Sequence, residues 1–206
     1  MIELFVFDLG NVILPFSHRQ IATKLLERST SKNRFTEQDI FDYTFDYEKG
    51  LVNPYEEGNL SSLEFFSHLR DRYDLRLQFE EFSEIWNNIF QENHEVNEFI
   101  VYLKTKGLPV FLLSNTNELH FCHILQRYPI IHVMDEWILS FEVGAKKPGK
   151  RIYDAIFEKT DVKRERVLCI DDVEDFVASA RTYGMQGLVF KEASDLWKVI
   201  NDNCEF

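Results

Sequence analysis

The sequence predicts an α/β fold: a parallel five-stranded sheet with helices on both faces, and an α-helical unit inserted directly after the first strand. Three observations lead there. From Val96 onward, short apolar runs alternate with helix-period segments across short links, the pattern of a parallel sheet flanked by helices. A further apolar run, Ile2 to Phe7, stands alone at the N-terminus. Between it and Val96 the periodicity is helical and no convincing strand appears. The expected division is a core of residues 1–15 and 94–206, and a helical cap of residues 16–93.

The first strand is the run Ile2 to Phe7. It carries one carboxylate, Asp8, to its end, and Gly10 follows, so it reads as a buried strand running into a turn. Pro15 marks the break that follows. In the inserted unit, Ile21, Leu25 and Leu26 make the first apolar stripe. Thr36 with Asp39 and Ser61 with Glu64 read as capping boxes before Ile40-Phe41 and Phe65-Phe66. Phe79, Phe82, Ile85, Trp86, Ile89 and Phe90 make a last stripe, for about four helices in all. Lys49-Gly50 and Pro54 to Asn59 form a turn-rich link between the second and third.

A helix with Val96, Phe99, Ile100 and Leu103 ends at Gly107, a natural residue just past a helix C-terminus. Val110 to Leu113 is the second strand and ends at Ser114-Asn115-Thr116. A helix through Leu119 to Arg127 leads to the third strand, Trp137 to Phe141, and then to Gly144-Ala145-Lys146-Lys147-Pro148. After a helix with Ile152, Ala155 and Ile156 comes the fourth strand, Val167 to Ile170, ending at Asp171-Asp172. A helix with Val177 and Ala180 ends at Gly184, Leu188 to Phe190 is a short fifth strand, and Leu196, Val199 and Ile200 mark the last helix.

Composition narrows the partners. The 206 residues are 45% hydrophobic with 19 Phe, enough for a sizeable core. A net charge of −12 argues against nucleic acid and against an anionic membrane. No stretch approaches the ~18 apolar residues of a membrane span, and Glu3 and Asp8 interrupt the apolar N-terminus, so no signal peptide is read there. Cys122, Cys169 and Cys204 show no metal spacing and no even-numbered framework, which points to a reducing, cytoplasmic setting, with Cys169 as a buried inert thiol. Oligomeric state stays open between monomer and homodimer.

Three strands end in polar residues: Asp8, Ser114 with Asn115, and Asp171 with Asp172; Lys147 follows the strand at Trp137. Each alone has a simpler reading, as a turn former, a helix N-cap or a solvated surface charge. In a parallel sheet, however, all of these ends fall along one edge, where α/β sheets place their ligands. Asp8, Asp171 and Asp172 would crowd three carboxylates that cannot all stay ionised without compensation, and a hard divalent cation, Mg²⁺ first, supplies it. A free oxygen of Asp8 is then a candidate nucleophile. The Ser114 hydroxyl, the Asn115 amide N–H and the Lys147 ammonium would neutralise a phosphoryl group.

These segments, in this order, resemble the haloacid dehalogenase (HAD) superfamily over the whole chain. Phe7-Asp8-Leu9-Gly10-Asn11-Val12 is similar to its first motif, Leu112 to Asn117 to its second, Gly144 to Pro148 to its third and Cys169 to Asp172 to its fourth. The resemblance implies a Rossmann-like core with a small helical cap. It also implies Asp8 as nucleophile, Asp172 as a direct metal ligand with Asp171 in support, the Gly10 carbonyl as a further ligand, and Ser114 and Lys147 as phosphate binders. The asparagine-containing first motif, Leu-Ser-Asn-Thr-Asn and Tyr-Glu-Glu-Gly resemble a bacterial branch that includes α-D-glucose-1-phosphate phosphatases. Two positions depart from the family pattern. Gly10 stands where most phosphatases of the family carry a second Asp as general acid and base, and Phe176 stands where an Asn is often found, with Asp175 beside it as a substitute. The function expected is a Mg²⁺-dependent phosphatase of a small phosphorylated metabolite, a sugar phosphate above all. The alternatives are a metal-independent 2-haloacid dehalogenase and a catalytically inactive binding or regulatory protein. His18 and Arg19, just past a hinge at Pro15, either reach the substrate or merely start a helix; the second hinge is expected at Asn93.

Overall fold

The computed structural model describes residues 1–203; Cys204 lies outside the described residues. Strands β1 (Leu4–Phe7), β2 (Val110–Ser114), β3 (Glu136–Leu139), β4 (Val167–Asp171) and β5 (Gln186–Val189) form one parallel sheet in the order β3-β2-β1-β4-β5. β1 is therefore central, with β2 and β4 on either side. Phe7 is level with Leu112 of β2 and with Ile170 of β4, so Asp8, Ser114 and Asp171 emerge side by side at the same edge.

Between β1 and β2 lie α1 (Arg19–Arg28), α2 (Glu37–Phe45), α3 (Val52–Glu56), α4 (Ser62–Tyr73), α5 (Phe79–Asn87) and α6 (His94–Thr105). Then follow α7 (Glu118–Arg127), α8 (Ser140–Val143), α9 (Lys150–Asp154), α10 (Glu174–Thr182) and α11 (Ala193–Asn203). Both expected capping boxes form: the Thr36 hydroxyl accepts from Asp39 N and the Asp39 carboxylate from Thr36 N, and Ser61 and Glu64 repeat the exchange. Gly107 and Gly184 take positive φ just past α6 and α10, as their positions predicted.

Side chains alternate between two apolar layers along β1. Phe5 and Phe7 join Val96, Phe99 and Ile100 of α6 and Leu196 of α11, whereas Leu4 and Val6 join Ile152, Ile156 and Ala180 on the opposite face. The helices α1–α5 bury a core of their own, with Leu25, Phe65, Phe82 and Trp86 fully enclosed. The two chain crossings between this unit and the sheet run side by side: Gln91 N donates to Pro15 O at 2.9 Å, and Asn93 N to Ile13 O at 3.2 Å.

Several expected boundaries differ. β1 begins at Leu4 rather than Ile2. The third strand stops at Leu139, because Gly144 in the left-handed region donates to Ser140 O and closes Ser140–Val143 into a helical turn. β5 spans Gln186–Val189 rather than starting at Leu188, held in register by β4. The turn-rich link contains α3, so the inserted unit has five helices before α6 among the described residues, not four. Val52 and Tyr55 sit one turn apart there and both are buried. No helix of the described residues is long and apolar enough to cross a membrane.

Candidate active site

Asp8 follows the last residue of β1, and its N–H bonds Ile170 O of β4 at 2.8 Å, which fixes the side chain at the sheet edge. Lys147 lies between the two acidic strand ends. Its ammonium is 2.8 Å from Asp8 Oδ1 and 2.6 Å from Asp171 Oδ2, and the residue is 3% exposed. Asn115 holds this lysine from behind: its side chain accepts from Lys147 N at 2.8 Å and donates to Lys147 O at 3.0 Å. The other oxygen of Asp171 accepts from Val173 N at 2.9 Å. Asp172 is half-buried and receives a hydrogen bond from the Asn11 side chain, whose own oxygen accepts from Phe16 N. Asn11 takes φ 56°, a left-handed conformation that Asn tolerates better than most residues.

One carboxylate oxygen from each of Asp8, Asp171 and Asp172 lies within 4.8 Å of the others. Three carboxylates against one ammonium leave two negative charges without compensation. Burial pushes Asp8 up to about 7, a rise that Lys147 opposes and Asp171 reinforces. Burial and then Asp171 raise Asp172 as well. Burial alone would depress Lys147, but Asp8 and Asp171 more than reverse it, so the ammonium stays protonated. A set of crowded oxygen donors short of two positive charges is what a hard divalent cation fits.

Every site residue expected from the sequence falls in this region. Ser114 and Asn115 border, with Leu9 and Gly10 just after Asp8, a small cavity of about 40 Å³ whose lining holds none of the three carboxylates. Of the pair past Pro15, His18 lines the cavity, whereas Arg19 is exposed, paired with Glu37 at 3.5 Å and lying over the Phe41 ring. The two departures from the family pattern acquire physical content. A Cβ at Gly10 would meet Phe16 Cε1 at 2.5 Å, so the Phe16 ring occupies the space a side chain there would need. Phe176 places its ring 5.1 Å from the Lys147 ammonium, a cation–π contact, while Asp175 is exposed.

Four residues of the cavity wall carry no site expectation from the sequence. Glu56 of α3 lines the cavity and pairs with Lys146 at 2.7 Å, and the same ammonium bonds Asn53 Oδ1 at 2.6 Å. His120 lines it too, with both ring nitrogens engaged, by Asn117 Nδ2 at 3.1 Å and by Trp86 O at 3.0 Å. Burial pushes His120 down to about 3. Phe16 and Phe90 supply the apolar wall. The only signal for Glu56 was its place in Tyr55-Glu56-Glu57-Gly58, and for His120 its position in the first turn of a helix capped by Asn117. Cys169 is buried, as expected, and burial pushes its thiol up to about 12.

Comparison with known proteins gives the family and the fold. The chain is 27% identical over 205 residues to the D-ribitol-5-phosphate phosphatase of Bacteroides thetaiotaomicron, an alignment covering 96% of each. It is 24% identical over 107 residues to the phosphorylated carbohydrates phosphatase of Thermotoga maritima, covering 52% of this chain and 50% of that one. A HAD family enzyme of Bacteroides thetaiotaomicron, solved in complex with magnesium and inorganic phosphate, shares the fold, with a TM-score of 0.80 at 21% identity over 93% of this chain and 95% of that one. The family model for haloacid dehalogenase-like hydrolases matches residues 2–184. With four motif segments brought to one sheet edge around a buried lysine, this chain belongs to the haloacid dehalogenase-like hydrolase family.

Proposed function

We propose that the chain is a Mg²⁺-dependent phosphatase of a small phosphorylated sugar or polyol, working through an aspartyl-phosphate on Asp8. The observation that carries this reading is the buried Asp8–Lys147–Asp171 triad, with Asp172 alongside. Asp8, Asp172 and the Gly10 carbonyl would hold the cation, and Asp171, whose two oxygens bond Lys147 and Val173, supports the site from behind. When bound, the metal offsets negative charge between Asp8 and the phosphoryl oxygens. The relatives' activities on ribitol and carbohydrate phosphates support the substrate class.

The chain's own groups carry the steps. Lys147 holds Asp8 by one oxygen and leaves the other free to attack phosphorus. The phosphoryl group passes to Asp8 as the ester P–O bond breaks and the leaving alkoxide takes a proton from water. Water then attacks phosphorus, the acyl phosphate P–O bond breaks, and Asp8 is regenerated with inorganic phosphate. Ser114 and the Asn115 N–H stabilise the charge on the transferring oxygens, and Lys147 adds its ammonium. No Asp stands at Gly10 to donate the first proton, so ester bonds with acidic leaving groups gain most.

Residues 16–93 act as a cap over this site in the same reading. A cavity of about 40 Å³ is far below the ~300–1,000 Å³ of small-molecule pockets, so the described state is closed and the cap must lift to admit substrate. The paired crossings at Pro15–Gln91 and Ile13–Asn93 are the hinge. Without a cation, two uncompensated negative charges would repel any anionic substrate, which disfavours the metal-independent haloacid route. The test is release of phosphate from p-nitrophenyl phosphate and a panel of sugar and polyol phosphates with Mg²⁺. Asp8→Asn should lose at least about 10³-fold in kcat with its fold intact. Near-normal turnover by Asp8→Asn would refute the covalent route.

A further inference from the structure

We propose that His18 is a specificity-determining residue that hydrogen-bonds a hydroxyl of the leaving group, so that polyhydroxylated phosphate esters are selected over apolar ones. The inference rests on the phosphatase reading above and concerns the polar side chains that line the cavity. The polar side chains there are mostly committed. Asn115 is bonded to the Lys147 backbone, Glu56 to Lys146, and His120 through both nitrogens. His18 lines the same cavity, and neither of its ring nitrogens has a hydrogen-bond partner among the described residues. It precedes α1 but makes no capping hydrogen bond, so starting the helix does not account for its polar atoms.

The ring is nevertheless held in place. It stacks on Phe45 at 4.1 Å and 10°, packs against Phe16 at 4.6 Å, and lies parallel to His120 at 6.5 Å. A fixed plane aims the nitrogens without further loss of side-chain freedom on binding. Burial pushes the imidazole down to about 4, so at neutral pH it offers one N–H donor and one nitrogen acceptor. A hydroxyl, itself donor and acceptor, matches either nitrogen. An alkyl group would leave both desolvated and unpaired when the cap closes, and a site built to bond a hydroxyl rejects the analogue that lacks it. The aromatic walls at Phe16 and Phe90 suit the C–H faces of a short polyol.

The experiment compares kcat/KM, with Mg²⁺, for a pentitol 5-phosphate and for n-pentyl phosphate, which has the same chain without the hydroxyls. p-Nitrophenyl phosphate reports on the chemistry itself. Wild type should favour the pentitol ester. His18→Phe keeps the aromatic stack and removes both polar atoms, and should cut the pentitol-to-pentyl ratio about three- to tenfold, the weight of one neutral hydrogen bond. His18→Gln restores a donor and an acceptor and should recover part of the ratio. A ratio unmoved in His18→Phe overturns the proposal, as does an equal fall for both esters; His18→Met serves the same comparison if His18→Phe does not fold. Failure of wild type on all three esters would instead overturn the phosphatase reading, whereas turnover with a ratio indifferent to residue 18 overturns this inference alone.

Discussion

Asp8→Asn should make the metal-free protein more stable above pH 7, although it removes the proposed nucleophile. Asp8 is 9% exposed, and its carboxyl is raised from an ordinary 3.8 to about 7, chiefly by burial. A folded-state value above the unfolded one means the native state binds the proton more tightly. That contribution is fully present below about pH 3.8 and is lost as pH rises through about 7. A gap of about three pH units corresponds to about 4 kcal/mol at ~1.4 kcal/mol per unit. Asn avoids the charge and still accepts from Lys147, but weakens a charge-assisted bond, so the net gain expected is about 2–3 kcal/mol. For a chain of this size that is roughly 4–12 °C in Tm. Thermal or urea melts in excess chelator at pH 5, 6, 7 and 8 should show the variant's advantage growing up to pH 7 and then levelling. With Mg²⁺ the order should reverse, since wild type then gains from binding that the variant has weakened. A variant less stable than wild type at pH 8 in chelator would refute the reasoning, because it would mean the Lys147 pair outweighs burial.

Three further outcomes follow from the same geometry. Chelator should stop p-nitrophenyl phosphate turnover and Mg²⁺ restore it; Asp172→Ala should lose Mg²⁺ affinity yet raise the metal-free Tm, while Asp171→Ala, which strips bonds from Lys147 and Val173, should cost about 2–4 kcal/mol of stability in melts. Gly10→Asp should be destabilising by about 1–3 kcal/mol because of the Phe16 ring; wild type should cleave aryl and sugar 1-phosphates faster than primary phosphates, and only Gly10→Asp combined with Phe16→Ala should narrow that gap, as substrate-panel kinetics will show. Lys146→Met should release Glu56 and Asn53 of α3, speeding amide hydrogen exchange there and raising KM several-fold; unchanged exchange would mean that this contact does not hold the cap closed.

The sequence by itself determined the alternation of strands and helices, the capping boxes at Thr36 and Ser61, and the strand-end positions of Asp8, Ser114 and Asp171. These are local matters: apolar runs, 3.6-residue periodicity and cap chemistry act within a few residues, and a parallel sheet brings its strand ends to one edge whatever the remaining detail. Strand and helix limits were less legible, since the end of β3 at Leu139 depends on the turn closed by Gly144 and that of β5 on its register with β4. Only the tertiary structure decided the rest of the site. Lys147 touches Asp8 across a separation of 139 residues, and Lys146 touches Asn53 across 93, contacts for which no spacing rule exists. Phe16 in the space beside Gly10, the free nitrogens of His18 and the engaged ones of His120 likewise follow from how the helical unit packs on the sheet. The same residue types on a solvated helix would carry no such meaning, because burial, and not identity, removes their alternatives in water.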